Sequence, residues 1–284
     1  MNKRERIPEK QRTLKDIARI SGMGAFSGDM ISVEIHPAPV DSGLSFVLML
    51  DGSEYVIPVK VKNIIEAENM TALGFPGDPS KQIKIVEHVL GALHGLRVDN
   101  AVIRVDSTEM PLMDGSALPY ISAMDNVGFV EQDIPRRELE VMEPVFIDDG
   151  PVLIAVPYHG TRITYYLDHP DDVVGKRVAD IDVSPNTFRR RIGPARTFIK
   201  EEKAQGLLND DSVKNKDISQ VLIVGADHLS QPLRFANEYC YHKMLDIMGD
   251  LYLAGWHLRG HIIGIRSGHF QNRKMIRKLV KLFG

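Results

Sequence analysis

Residues 238–274 read EYCYHKMLDIMGDLYLAGWHLRGHIIGIRSGHFQNRK, and the order of elements within them decides the fold. Met244, Leu245, Ile247 and Met248 recur at helical spacing, so Glu238–Ala254 is predicted to be a helix. The linker AGWHLRG, the alternating strand HIIGIRS and the turn SGHFQN follow, and a second helix is predicted over Asn272–Leu282. The same succession occurs earlier in the chain. A predicted helix Ile85–His94 leads through HGLRVDN to a strand Ala101–Asp106, the turn MDGS and a helix Ala117–Asn126. A helix, strand, turn and helix met twice in the same order read as an internal duplication. The join falls in the charged, proline-containing stretch Glu131–Arg137, which gives expected domains of residues 1–133 and 134–284. Further strands are expected at Met30–His36, Ser45–Leu50, Tyr55–Val61, Val152–Val156 and Arg162–Leu167, bounded by Gly, Pro or Asp turns.

If the repeats are equivalent, so are their first helices, and each carries a histidine near its start, His88 and His242. Domains packed face to face can therefore bring both imidazoles to one site. On the second helix Asp246 stands four residues after His242, on the same helical face. This spacing is that of the paired ligands of a zinc-binding helix, with a carboxylate in place of the second imidazole. An isolated His and Asp so spaced is more often a surface ion pair. Here the helix is apolar around most of its circumference, which puts Asp246 and Asp250 in a partly buried setting where an unpaired carboxylate is costly and a metal relieves the cost. His88, His242 and Asp246 supply the three protein donors usual in a catalytic zinc site. Two imidazoles and a carboxylate also suit Fe(II).

Glu87 is the natural general base, since it need only reach a water at the metal. Asp250 extends the ligand face and either supports the metal shell or orients a neighbouring histidine. His269, after Gly268 at a strand-to-helix junction, is a candidate proton donor or oxyanion stabiliser. Gly268 is read as permitting a close approach of backbone to substrate. His36, His94, His159, His169, His228, His257 and His261 lack comparable company and are read as structural or surface residues.

Composition narrows the classes further. The chain has 284 residues, enough for two domains, with 43% hydrophobic and 26% charged residues, as in ordinary folded proteins. Its 35 basic and 38 acidic residues give a formal charge of -3, so there is no general drive toward nucleic acid. The single Cys240 excludes an intramolecular disulfide and multi-cysteine zinc arrangements. The charged N-terminus MNKRERIPEKQRTLK lacks a signal-peptide core, and no apolar run reaches the ~20 residues needed to span a bilayer, so a cytoplasmic protein is expected. No G-x-S-x-G elbow and no Gly-rich phosphate loop after a strand are present.

In order along the chain, QRTLKDIARISGMG, PAPVDSG, IVEHVLGAL, DNAVIRVDSTEMPLMDGSALPY, PARTF, HKMLDIMGDLYLAG and SGHFQN resemble the UDP-3-O-acyl-N-acetylglucosamine deacetylases of lipid A biosynthesis. The resemblance covers nearly the whole chain. It implies an α+β fold of two similar domains, each a β-sheet layered against helices as a β-α-α-β sandwich, with the active site between them. It also implies zinc on His88, His242 and Asp246, Glu87 as base, and His269 held by Asp250 as acid or electrostatic partner. Thr197 would help stabilise the oxyanion, while Lys243 and Phe198 would contact substrate. The substrate implied is a small UDP-amino sugar carrying an acyl chain, and a monomer with neither nucleic-acid nor integral membrane partners is expected. Either His269 or Glu87 could protonate the leaving amine.

Departures from the family pattern bear on substrate. Phe26 in GMGAFSG stands where a histidine is usual, and Lys84 and Ile85 replace small hydroxyl residues before Glu87. In IKEEKAQGLLNDDS, which is shorter than the family's acyl-passage segment, Asp210 and Asp211 take the place of two glycines. Buried carboxylates are poor lining for a hydrocarbon. Two alternatives therefore stand beside the deacetylase: a paralogue acting on another N-acetyl sugar or sugar nucleotide without the long acyl chain, and a zinc-stabilised binding protein that has lost catalysis.

Overall fold

A computed structural model describes residues 9–169, 173–209 and 221–284. Two sheets dominate it, and they share one topology. In the first, the strands run in the order Ala18–Met23, Met30–Pro37, Ala101–Val105, Leu44–Leu50, Ser53–Pro58. In the second, the order is Val145–Asp148, Val152–Val156, His257–Ile265, Thr161–Asp168, Lys176–Asp182. Along these orders each central strand pairs antiparallel with one neighbour and parallel with the other, the outer pairs are antiparallel, and a sixth short strand, Glu138–Glu140, adds to the second sheet by pairing parallel with the start of His257–Ile265. The expected α+β fold of two similar halves is therefore present.

Alternation explains which face each strand buries. Ile31, Val33 and Ile35 of one strand, and Ile163, Tyr165 and Leu167 of another, point into the core, while their neighbours face outward. Among the described residues there are six α-helices: α1 (Glu87–Gly95), α2 (Leu118–Val127), α3 (Pro185–Thr187), α4 (Glu201–Asn209), α5 (Glu238–Leu251) and α6 (His269–Phe283). Helix α2 packs on strand Ala18–Met23, α5 on Thr161–Asp168 and Lys176–Asp182, and α6 on Val145–Asp148 and Val152–Val156. Helix α1 lies against α5, which joins the layers as sheet, helices, helices, sheet. That central place is why every residue of α1 is buried, polar ones included.

The contact between α1 and α5 is backbone-close. A Cβ on Gly91 would lie 2.6 Å from Leu245 Cδ1, and one on Gly249 would lie 2.0 Å from the Glu87 carbonyl oxygen. At Gly249 the obstacle is backbone, so glycine is needed there by proximity, whereas at Gly91 the nearest atom is the end of a leucine side chain. A small three-stranded sheet, Ile64–Ile65, Ala72–Phe75 and Asp78–Lys84, precedes α1 and flanks the same region. Among the described residues no helix is long and apolar enough to cross a membrane.

Helix α6 begins at His269, earlier than the predicted Asn272, so His269 sits in its first turn. Gly268 caps this helix in extended backbone at φ -146, and a Cβ there would meet open space. Asp210 and Asp211 lie outside the described residues.

Candidate active site

His88, from the first turn of α1, and His242 and Asp246, one turn apart on α5, converge where the two helices cross. Their ligand-type atoms all lie within 4.8 Å of one another, and all three residues are buried. Asp246 Oδ1 is 3.4 Å from His242 Nε2 and 3.8 Å from His88 Nε2. The rings of the two histidines stand edge to face, 5.2 Å apart.

Local bonds orient His242 and Asp246. His242 Nδ1 donates to the Ala195 carbonyl at 3.1 Å, which leaves the Nε2 lone pair facing Asp246. Ala195 belongs to the PARTF segment, and the next residue, Arg196, pins that segment to α5 by a buried fork onto Glu238, with Nε 2.8 Å from Oε1. Burial pushes His88 down to about 4 and His242 to about 3, so both imidazoles are neutral near pH 7 and able to ligate. Burial alone would raise the Asp246 carboxyl, but His242 and the Lys243 ammonium hold it far below its usual range. Lys243 Nζ donates to Asp246 Oδ2 at 2.8 Å. Asp246 Oδ1, fully buried, has no hydrogen-bond partner among the described residues. A buried anionic oxygen left bare beside two imidazole Nε2 atoms fits a divalent cation, and these donors could hold one.

Glu87 and His269 flank this group. His269 Nε2 lies 4.0 Å from Glu87 Oε1 and 3.8 Å from Asp246 Oδ2. Its Nδ1 donates to Asp250 Oδ2 at 2.8 Å, which fixes the tautomer and turns Nε2 toward the site. Burial lifts Glu87 to about 7, with Asp250 and Asp246 adding to the rise. Burial opposes protonation of His269, but Asp250 and Asp246 outweigh it and carry the imidazolium up to about 9. Glu87 is therefore poised to exchange a proton and His269 to carry one.

These side chains open onto a cavity of about 1210 Å³. Thr197, Phe198 and Lys243 line it, as do the departures Phe26 and Ile85. The Thr197 amide donates to the Gly115 carbonyl of the MDGS turn at 2.7 Å. Phe198 lies edge-on to Tyr239 and 6.5 Å from the His242 ring. Ile199, Val221 and Val224 continue an apolar wall beyond it.

Sequence reasoning missed Thr71, which is buried against Asp250 and Glu87. No motif contains it, and its partners are distant along the chain. His169, read above as structural or surface, lines the cavity. Its ring lies edge-on to Phe198 at 6.1 Å, a contact between segments that no local pattern signals.

Fold and site together define a two-lobed α+β protein with a buried candidate metal centre, a carboxylate and an imidazolium at the junction of the lobes. The sequence model of the UDP-3-O-acyl N-acetylglycosamine deacetylases matches residues 11–281. The UDP-3-O-acyl-N-acetylglucosamine deacetylase of Bdellovibrio bacteriovorus is 33% identical over 273 residues, covering 95% of this chain and 89% of that protein. The enzymes of the same name from Shewanella baltica and Shewanella oneidensis are each 33% identical over 279 residues, with the same coverage. The chain belongs to the UDP-3-O-acyl N-acetylglycosamine deacetylase family.

Proposed function

We propose that the chain hydrolyses the N-acetyl group of a UDP-3-O-acyl-N-acetylglucosamine, releasing acetate and the free 2-amino sugar, as a step of lipid A biosynthesis. Family membership supports the substrate class. The observation that carries the chemistry is the bare, buried Asp246 Oδ1 facing two imidazole nitrogens.

His88, His242 and Asp246 would hold a divalent ion, zinc in this reading, and such an ion supplies Lewis-acid chemistry by acidifying a water and polarising a carbonyl. The protein's own groups do the rest. Glu87 Oε2 accepts the Thr71 amide at 3.0 Å, and the carboxylate takes a proton from the attacking water. A carbon–oxygen bond forms to the acetyl carbon, and the charge gathering on the carbonyl oxygen is met by the His269 imidazolium and Thr197. The carbon–nitrogen bond then breaks as the amine receives a proton from His269 Nε2 or from Glu87. Lys243, beside Asp246, and Phe198, on the cavity wall, contact the sugar substrate. The apolar run Phe198, Ile199, Val221 and Val224 suits an acyl chain.

The reading includes a cytoplasmic location and division into lobes of residues 1–133 and 134–284. A panel of acylated and non-acylated UDP-N-acetyl sugars, with product masses and metal content measured on the same preparation, tests it. Turnover of the acylated nucleotide with one bound zinc per chain is expected. Turnover of non-acylated sugars alone would favour the paralogue, a reading that the Lys84 ammonium 5.5 Å over the Phe26 ring at the cavity rim also motivates. Iron in place of zinc would correct the metal.

A further inference from the structure

Thr71 is wholly buried beside the site, at the edge of the small sheet before α1, and it bonds to both halves of the proton-handling machinery. Its amide donates to Glu87 Oε2 at 3.0 Å, and its carbonyl accepts from the Val86 amide at 3.2 Å, so its backbone brackets the start of α1. Its hydroxyl donates to Asp250 Oδ1 and lies 3.4 Å from His269 Nδ1. The other oxygen, Asp250 Oδ2, accepts from His269 Nδ1 at 2.8 Å and Asn272 Nδ2 at 2.9 Å. The Asp250 carboxylate thus has donors on both oxygens, and only one rotation satisfies them all.

Without the Thr71 hydroxyl, Oδ1 would be a buried anionic oxygen stripped of its donor, and the carboxylate would turn to recover one. His269, bonded to that carboxylate, would turn with it. Thr71 itself is fixed from the far lobe. Arg273 of α6 donates to the carbonyls of Met70 at 2.9 Å and Ala67 at 3.1 Å.

We propose that Thr71 is a positioning residue, which sets Glu87 through its backbone and the Asp250–His269 pair through its hydroxyl, so that proton acceptance and donation share one geometry. The inference rests on the reading of Glu87 and His269 given above. Its effect falls on turnover, because the hydroxyl is spent on Asp250 and not on substrate.

The test is steady-state kinetics of Thr71→Val, which removes the hydroxyl and keeps the backbone bonds, with Thr71→Ser as rescue and Thr71→Ala as a second deletion. Thr71→Val and Thr71→Ala are expected to lose about 10- to 100-fold in kcat, the range seen when a group supporting a reactive residue is removed, with KM within about 2-fold. Metal content should stay near wild type, the melting temperature should fall by no more than several degrees because a buried acceptor loses its donor, and Thr71→Ser should recover most of the rate. In a His269→Ala background the Thr71→Val penalty should largely vanish, since the hydroxyl acts through that imidazole. Wild-type kcat in the deletion variants, a Ser variant as slow as Val, or a loss carried wholly by KM would overturn the proposal. Glu87→Ala and His269→Ala are assayed alongside. Retained activity there would sink the underlying reading, whereas its loss there with unchanged Thr71→Val would sink this inference alone.

Discussion

The Cα of Gly249 on α5 faces the Glu87 backbone of α1 so closely that a Cβ would lie 2.0 Å from the Glu87 carbonyl oxygen. The lobe that supplies His242 and Asp246 is thereby seated directly on the residue read as the base. A Gly249→Ala variant must push the helices apart, at a typical overpacking cost of about 1–3 kcal/mol. Thermal melting should show a drop of several degrees together with a loss of turnover. A variant that melts and turns over like wild type would mean that the helices separate freely.

Asp246→Asn removes the anionic oxygen that lacks a partner while keeping the side chain's size. Metal analysis after dialysis should show much less than one divalent ion per chain, and a chelator should strip the variant faster than wild type. Full occupancy in Asp246→Asn would remove Asp246 from the ligand set.

Glu87→Gln keeps an acceptor for the Thr71 amide but cannot take a proton. Turnover is expected to fall about 10²- to 10⁴-fold with metal content unchanged, the usual range for loss of a general base. Undiminished kcat with normal metal content would move the base elsewhere.

His94 and His257 form a second buried histidine group, away from the candidate metal donors. His94 Nδ1 donates to the Met248 carbonyl at 2.9 Å, and its ring stacks on Tyr252 at 4.6 Å. Burial presses His94 from 6.5 to about 3 and lowers His257 as well. Between about 3 and 6.5 the unfolded chain binds a proton at His94 that the folded chain refuses. Stability from this group is therefore complete above 6.5 and declines as pH falls toward 3. Denaturant midpoints measured from pH 7 to 5 should fall, and fall less in His94→Asn, whose amide can still reach Met248. An equal decline in both proteins would assign the acid sensitivity to other groups.

Much of this architecture was legible in the residues because its signals are local. Apolar spacing exposes α1 and α5, alternation exposes the strands, and the order of elements exposes the duplication that brings His88 toward His242. Charged side chains on a helix as apolar as α5 announce burial, and Asp246 and Asp250 are buried. What escaped notice depends on distance along the chain. Thr71 reaches Asp250 across 179 positions from a small sheet with no marked pattern. His169 meets the cavity through a contact with Phe198 that neither segment signals by itself. The expected onset of α6 at Asn272 is late because Ser267-Gly268 reads as a turn, whereas the helix is already capped there, with the Gly268 amide donating to Gln271 Oε1 at 3.2 Å.

The split origin of the donors has a bearing on biosynthesis. A nascent chain that has emerged through residue 241 owns only His88 of the three donors, and His269 arrives later still. Translation products that stop before residue 242 would therefore lack two of the three candidate donors, and the proposed ion would mark polypeptides whose synthesis has passed Asp246.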